Sequence, residues 1–571
     1  MDPPAEDRGR ARLLRLLAQR LPGVEVLRRY QRACLGADLV GGLTVGAMLV
    51  PQAMGYAALA GLAPEYGFYA AIPALCVYAL AGSSRHLGVG PEPGTAILAA
   101  AAVGGLAGGD AGRYAALMAA LALVVAALST LGAALRLGHL ASLLSRPVLV
   151  GYISGVGLTL LASQIGPFTG APITAEGFLA RWAQLAGRLD RIDPATALVG
   201  GLGLALVLGL RWKLPTAPGA LVAVAAATLL TAAAGLDGVA LVGAIPAGLP
   251  TPVWPGVAWS DVVGLVPAAA GITLVGFTDN VLTARAVARQ RGYSIDPNQE
   301  LLALGAINLS AGLAGGFPIS SSASRTVVPA SLGSRTQLVS IVAAVFTASA
   351  LVWFRAPLSA VPRPALAAVI AAAALHIIDV KGFSVLWRLS RTEAALAVAA
   401  AAGVVLLGVL PGVLVAVGLS LAVALGRIAR PHDAVLGDAP GLDGWVDVGE
   451  YPTALASAGL LVFRFDAPLF FLNIERFAER VELALADNPG DEEWLVLDCE
   501  GIGALDVTAV DGLAELAGRL AQRRLAVIAV ARANERVLAL LRRAGLLEPD
   551  GPFREFPTIN SAVRAFRAGR A

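Results

Sequence analysis

From Asp38 to Leu425 the chain runs through one apolar stretch after another, and charge gathers at the short junctions between them. A helix that crosses a hydrocarbon core needs about 20 predominantly apolar residues. Such runs occur at 38–57, 67–82, 92–106, 114–135, 146–165, 194–211 and 215–234, then at 260–284, 299–314, 321–333, 337–355, 363–379, 392–410 and 412–428. These are fourteen segments in two groups of seven. Residues 1–450 carry 52 charged side chains, whereas the much shorter 451–571 carries 31, a density ordinary for a soluble domain. The body is therefore neither a soluble enzyme nor a disordered chain. A net charge of +3 does not suit a nucleic-acid binder.

Loop charges predict the topology. With residue 1 in the cytoplasm, the inside junctions carry Arg85, then Arg136 and Arg146, Arg211 and Lys213, and Arg285, Arg289 and Arg291. Arg335, Lys381, Arg388, Arg391, Arg427 and Arg430 complete the series. Of the opposite loops, 235–259 has no Lys or Arg, and 166–193 is mixed, with Arg181, Arg188 and Arg191 against Glu176, Asp190 and Asp193. The positive-inside rule then predicts both termini in the cytoplasm. Seven helices per half make the halves opposite in topology, an inverted repeat. The third and tenth segments are short and begin at Pro- or Ser-rich junctions, GPEPGTAIL and FPISSSASRT. Interrupted segments at corresponding positions of two halves point to a transport site built from half-helices.

The N-terminus carries Arg8, Arg10, Arg12, Arg15 and Arg20 with no cleavable apolar region behind them, so residues 1–37 read as a cytoplasmic arm rather than a signal peptide. Residues 38–432 read as the transmembrane domain (repeats 38–234 and 260–432), and 433–450 as a linker. In 451–571, LLVFRF, WLVLD and AVIAVA suit strands, and three amphipathic helical patterns alternate with them, which predicts a small α/β domain.

Ionisable groups inside a membrane are costly and therefore candidates for function. Asp279 lies in the eighth segment with Thr283 four residues on, on one helical face. That pair suits Na⁺, and the carboxylate alone suits a proton. The run Ser321, Ser322, Ala323, Ser324, Arg325 begins a helix whose free N–H groups and added guanidinium suit an anion. Pro93, Gly94 and Thr95 are its counterpart in the first half. Glu92 reads equally as a helix cap or a second proton site, and Gln52 and Tyr56 as hydrogen-bonding groups of the first segment. Asn298 and Glu300 read as caps of the ninth segment, and Asp506 as a helix cap in the tail. His86, His139, His376 and His432 are scattered, Cys34, Cys76 and Cys499 have no metal spacing, and no Walker A, GxSxG or HExxH motif occurs. No enzyme and no resident cofactor is expected.

DLVGGLTVGAMLVPQAMGYAALAGLAPEYGFYAA, SSRHLGVGPEPGTA, NQELLALGAINLSAGLAGGFPISSSASRT and the α/β tail together resemble the sulfate permease (SulP) family of anion transporters, and the tail resembles its STAS domain. The resemblance implies a polytopic α-helical protein of fourteen transmembrane segments in a 7+7 inverted repeat. It also implies core and gate domains, elevator-like movement, a homodimer and a cytoplasmic STAS domain that can recruit a protein partner. Carried over residue by residue, the anion site falls on Gln52, Tyr56, Pro93, Gly94, Thr95 and Ser321 through Arg325, and the Na⁺ site of bicarbonate-transporting relatives on Asp279 and Thr283. Two positions depart from the pattern. Glu92 stands where many relatives have a small or apolar residue, and Val507 replaces the residue phosphorylated in soluble STAS regulators.

The expectation is a secondary active transporter of a small anion (sulfate, bicarbonate or dicarboxylate class) in the cytoplasmic membrane, coupled to Na⁺ or H⁺. The alternatives are an uncoupled anion exchanger or channel, a non-transporting membrane sensor or scaffold, and a nucleobase permease.

Overall fold

The computed structural model describes residues 21–570 apart from positions 29, 143–144, 176, 215, 247, 443, 452, 456–457, 488–492, 524 and 550. The arginines at 8, 10, 12, 15 and 20 lie outside the described residues. The chain forms two compact units, Met1–Ser420 and Leu421–Ala571.

The first unit is helical: α1 (Leu35–Leu59), α2 (Glu65–Ala81), α3 (Pro93–Val103), α4 (Ala111–Ala134), α5 (Arg146–Ser163), α6 (Pro194–Lys213) and α7 (Gly219–Ala233). After a long connection follow α8 (Trp259–Arg291), α9 (Pro297–Leu313), α10 (Ala323–Ser331), α11 (Leu338–Trp353), α12 (Arg363–Ile377), α13 (Arg391–Leu407) and α14 (Val409–Ala429), the last crossing into the second unit. Each apolar run read from the sequence overlaps one of these helices. Six described stretches are long and apolar enough to cross a membrane, and shorter apolar helices lie between them, so this is a multi-pass membrane protein. Exposed Trp212, Trp259, Trp353 and Trp387 sit at or near helix ends, where indoles prefer the membrane–water interface. Short amphipathic helices at Phe178–Ala186 and Val380–Leu389 were not expected, because a search for long apolar runs passes over one-sided patterns of ten residues.

Packing sorts the helices into two groups. One comprises α1–α4 with α8–α11: α4 lies along α9, α11 along α1 and α2, and α8 against α3, α4 and α10. The other has α5 along α13 and α12, and α6 along α12 and α7. At one such crossing a Cβ on Gly151 would lie 2.0 Å from the carbonyl oxygen of Ala397, so only glycine permits α5 and α13 to approach this closely.

Polar ties hold the first group together. Buried Glu300 on α9 accepts from Tyr78 Oη (2.8 Å), Ser83 N (2.9 Å), Ser83 Oγ (2.7 Å) and Ser84 N (2.9 Å). Buried Asp38 accepts from Thr336 Oγ1 and from the amides of Arg335 and Thr336. The capping roles expected of Asn298 and Glu300 are thus corrected. Asp296 caps α9, accepting from Asn298 N and Gln299 N, Asn298 donates to the Ala133 carbonyl, and Glu300 clamps the end of α2.

The second unit has a six-stranded sheet in the order β4-β3-β5-β6-β7-β8, with β3 (Asp433–Asp438), β4 (Trp445–Asp447), β5 (Leu460–Phe465), β6 (Trp494–Asp498), β7 (Val527–Ala531) and β8 (Phe553–Phe556). The β5–β8 pairs are parallel, and β3 runs antiparallel to β5 and β4. Alternation along β5 sends Leu461, Phe463 and Phe465 to one core and Leu460 and Val462 to another, so both faces are buried. Residues 433–450, expected as a linker, supply β3 and β4 instead. Their polar spacing hides a strand until the apolar β5 lies beside it. His432, expected to be isolated, stands 3.2 Å from Asp466 and 3.4 Å from Asp447. Asp506 caps Val507–Gln522 as expected, accepting from Ala509 N at 2.7 Å, and leaves Val507 exposed.

Candidate anion site

Two short strands create the site. β1 (Val89–Gly90) and β2 (Ser320–Ser321) pair antiparallel, with Val89 opposite Ser321 and Gly90 opposite Ser320. Each strand leads directly into a short helix, α3 or α10, so the pairing brings two helix N-termini together from distant parts of the sequence. Two further bonds fasten the crossing: Ser322 N donates to Gly88 O (2.9 Å), and Gly88 N donates to Thr326 Oγ1 (3.0 Å). Gly90 has φ +138°, a left-handed conformation that side chains rarely adopt, and a Cβ there would lie 3.4 Å from Arg325 Nη2.

Beside this crossing lies a cavity of about 570 Å³ between the two helix groups. Gln52 and Tyr56 of α1, Glu92 through Thr95 at the start of α3, Asp279 of α8 and Ser320 through Ser324 line one side. The other wall comes from α5, α6, α7 and α12, with Tyr152, Arg211 and His376 as its polar members. Free N–H groups and partial positive charge at the α3 and α10 N-termini make the first side suited to an anion.

Most residues proposed from the sequence meet here, with two differences in detail. Arg325 is 1% exposed and does not line the cavity. Its guanidinium lies behind the wall, donating from Nη1 to Gln52 Oε1 and from Nη2 to Pro91 O, both at 2.9 Å. An arginine has no acceptor, so Gln52 must turn its oxygen toward Arg325, which leaves its NH₂ free to donate toward the cavity. The second difference concerns Asp279. Its hydroxyl partner is Ser321 Oγ at 3.1 Å, while Thr283 is absent from the described cavity lining. Helical spacing puts Thr283 and Asp279 on one face, and β2, running against α8, brings a second hydroxyl, Ser321 Oγ, that donates to Asp279. Asn280 Oδ1 accepts from Ser321 N at 2.8 Å and so holds β2 against α8. Glu92 caps α3, with Oε2 accepting from Thr95 N at 3.1 Å, and its carboxylate still borders the cavity.

The opposite wall carries no local signal of its role. Leu149, Tyr152, Ile153 and Val156 recur at i, i+3, i+4 and i+7 and form one face of α5. That spacing is legible in the sequence, but nothing local says that it faces a cavity rather than another helix.

Residues 35–400 match the sulfate permease family, and residues 451–562 match the STAS domain. A probable sulfate transporter of Mycobacterium tuberculosis is 46% identical over 549 residues, covering 96% of this chain and 98% of that one. In structure the chain resembles the murine solute carrier 26 family member A9 anion transporter in its inward-facing state, with a TM-score of 0.88 at 23% identity over 97% of this chain and 95% of that one. It also resembles the transmembrane domain of a cyanobacterial bicarbonate transporter, with a TM-score of 0.60 at 22% identity over 68% of this chain and 98% of that one. These two likenesses concern the fold. Extended identity, two matched regions and half-helices that meet beside a cavity lead to one conclusion: the chain belongs to the sulfate permease family, secondary transporters of small anions that carry a STAS domain and are not enzymes.

Proposed function

We propose that this protein is a secondary active transporter that moves a small oxyanion of the sulfate, bicarbonate or dicarboxylate class across the cytoplasmic membrane, coupled to Na⁺ or H⁺. The observation that carries this reading is the β1–β2 pairing, which directs two half-helix N-termini toward one cavity with Asp279 and Glu92 on the same wall. Charge balance argues for cation coupling. On the half-helix wall two carboxylates face one guanidinium, so with both ionised that wall is net negative and opposes an anion, while Arg211 on the facing wall brings the cavity as a whole only to balance. A cation held at Asp279 and Ser321, or a proton on either carboxylate, removes that repulsion and ties anion binding to cation binding. The Mycobacterium relative's description as a probable sulfate transporter supports the substrate class.

The anion would sit against Gln52, Tyr56, the α3 start at Pro93, Gly94 and Thr95, and Ser321, Ser322, Ala323 and Ser324. Arg325 would act on it through Gln52 and through its field. The cavity lies between the two packing groups, which supports an elevator in which α1–α4 and α8–α11 travel against the remainder. The same reading includes a 7+7 inverted repeat, cytoplasmic termini, a homodimer and a cytosolic partner at the STAS domain. A second reading, an uncoupled exchanger or channel, draws on the Ser321–Asp279 bond, because a carboxylate already bonded in the fold can be purely structural.

Uptake of labelled sulfate, bicarbonate and dicarboxylates into proteoliposomes, with and without Na⁺ and pH gradients, tests the proposal. Gradient-driven accumulation is expected, and Asp279→Asn should abolish the dependence on the gradient. Wild-type accumulation by that variant would remove Asp279 from coupling, and uptake insensitive to both gradients would favour the second reading.

A further inference from the structure

His432, Asp447 and Glu450 stand together in the second unit, an imidazole nitrogen and one oxygen of each carboxylate all lying within 4.8 Å of one another. His432 falls between the end of α14 and β3, Asp447 ends β4, and Glu450 follows in the turn beyond it. No motif spacing joins them. The antiparallel pairing of β3 with β4, which sets Leu436 opposite Asp447, brings them to one place.

Two details separate this cluster from an ordinary ion pair. His432 Nε2 stands 3.4 Å from Asp447 Oδ2, beyond the reach of about 2.7–2.9 Å expected of a charge-assisted bond. Two ligand atoms each about 2.0–2.1 Å from one tetrahedral ion stand about 3.4 Å apart, which matches that separation. The second detail lies on the other side of the ring. Nδ1 is 3.2 Å from Asp466 Oδ2, and Asp466 is itself held through Oδ1 by Arg464 Nε at 2.7 Å. Imidazoles that bind metals are commonly oriented in this way, by a carboxylate on the nitrogen that does not bind. With the ring proton on Nδ1 and donated to Asp466, the Nε2 lone pair is left for a cation beside Asp447 and Glu450. Asp447 is oriented to the same end, because its Oδ1 accepts from Gly449 N at 2.7 Å and Oδ2 stays available. Arg464 answers the charge of Asp466, so Asp447 and Glu450 present two negative charges beside a neutral imidazole, which suits a divalent ion.

We propose that His432, Asp447 and Glu450 bind a divalent transition cation of the Zn²⁺ class, with Asp466 as the residue that orients the imidazole. One nitrogen and two carboxylates favour such an ion over Ca²⁺ or Mg²⁺, which are bound through oxygen alone and in greater number. The ion ties the chain just beyond α14 to β4, a three-residue edge strand whose strand partner is β3. This inference is independent of the transport reading.

Zn²⁺ binding to the detergent-purified full chain, in competition with a chromogenic chelator and in excess Mg²⁺, provides the test. Wild type should hold one equivalent more than His432→Ala. Asp466→Ala should retain that equivalent with its affinity lowered about 10- to 100-fold, the usual effect of losing an orienting partner. Glu450→Gln, a change on an exposed turn, should weaken the site at least as much and serves where His432→Ala folds poorly. Wild-type stoichiometry and affinity in either His432→Ala or Glu450→Gln would overturn the proposal. Loss of the extra equivalent to Mg²⁺ would overturn the assignment of the ion, and unchanged affinity in Asp466→Ala would overturn the orienting role.

Discussion

The fork between Arg325, Gln52 and the Pro91 carbonyl makes a quantitative claim about a residue that does not line the cavity. Its two bonds, each 2.9 Å long, are charge-assisted, and each is worth about 1.5–3 kcal/mol. One fixes the Gln52 amide so that its NH₂ is offered to the anion, and the other fastens β1 over the start of α10. Arg325→Gln removes the charge and the fork together. Gln52→Ala removes the intermediary. If Arg325 acts on the anion largely through Gln52, the losses overlap in the double variant, with a coupling of about 1.5–3 kcal/mol, or roughly 10- to 150-fold less loss of affinity than the product of the single effects. Arg325→Lys retains the charge but lacks the planar fork and should fall between wild type and Arg325→Gln. Labelled-anion binding to the purified full chain, at constant ionic strength, reads all four corners of the cycle. Additive losses within about 0.5 kcal/mol, or wild-type affinity in Arg325→Gln, would refute the reasoning.

Three further outcomes follow from the same geometry. Glu300→Gln offers one acceptor oxygen to four donors and turns an NH₂ toward the rest, which should cost about 2–3 kcal/mol and lower the thermal unfolding midpoint; an unchanged midpoint would contradict the clamp. Gly90→Ala forces a side chain into a left-handed conformation at a cost of about 1–3 kcal/mol, seen as a lower midpoint together with weaker anion binding through the displaced Arg325. In the second unit, burial and the neighbouring Asp498 push the Cys499 thiol from 9.0 up to about 12. Because the folded value lies above the ordinary one, thiolate at pH 8 falls roughly a thousandfold. In a Cys34→Ala, Cys76→Ala background, a maleimide at pH 8 should label Cys499 only in denaturant, and prompt labelling of the native protein would contradict this.

The helices were legible because hydrocarbon-length apolar runs are a local property, and the observed bounds differ from them by a few residues at most ends. α8 is the exception, expected over 260–284 and running to Arg291, where left-handed Gly292 ends it. Parallel strands β5 to β7 were legible for a related reason: strands buried on both faces read as continuous apolar runs. Strands β3, β4 and β8 were not, since an edge or near-edge strand keeps polar residues and acquires its conformation from the neighbour it pairs with.

At the site, composition gave the residue types and the half-helix junctions gave the place. The sequence by itself determined that GPEPGTA and ISSSASR begin short helices, and that Asp279, Glu92 and Arg325 are charges inside an apolar body. Only the tertiary structure decided which of them meet. The β1–β2 ladder joins segments separated by more than two hundred residues, so no local spacing encodes it. That crossing brought Ser321 Oγ within hydrogen-bond reach of Asp279 and drew Arg325 behind Gln52. The reason is physical: helix formation follows from the chain's own neighbours and the bilayer, whereas the hydrogen-bond partner of a buried side chain is whatever the fold brings within about 3 Å.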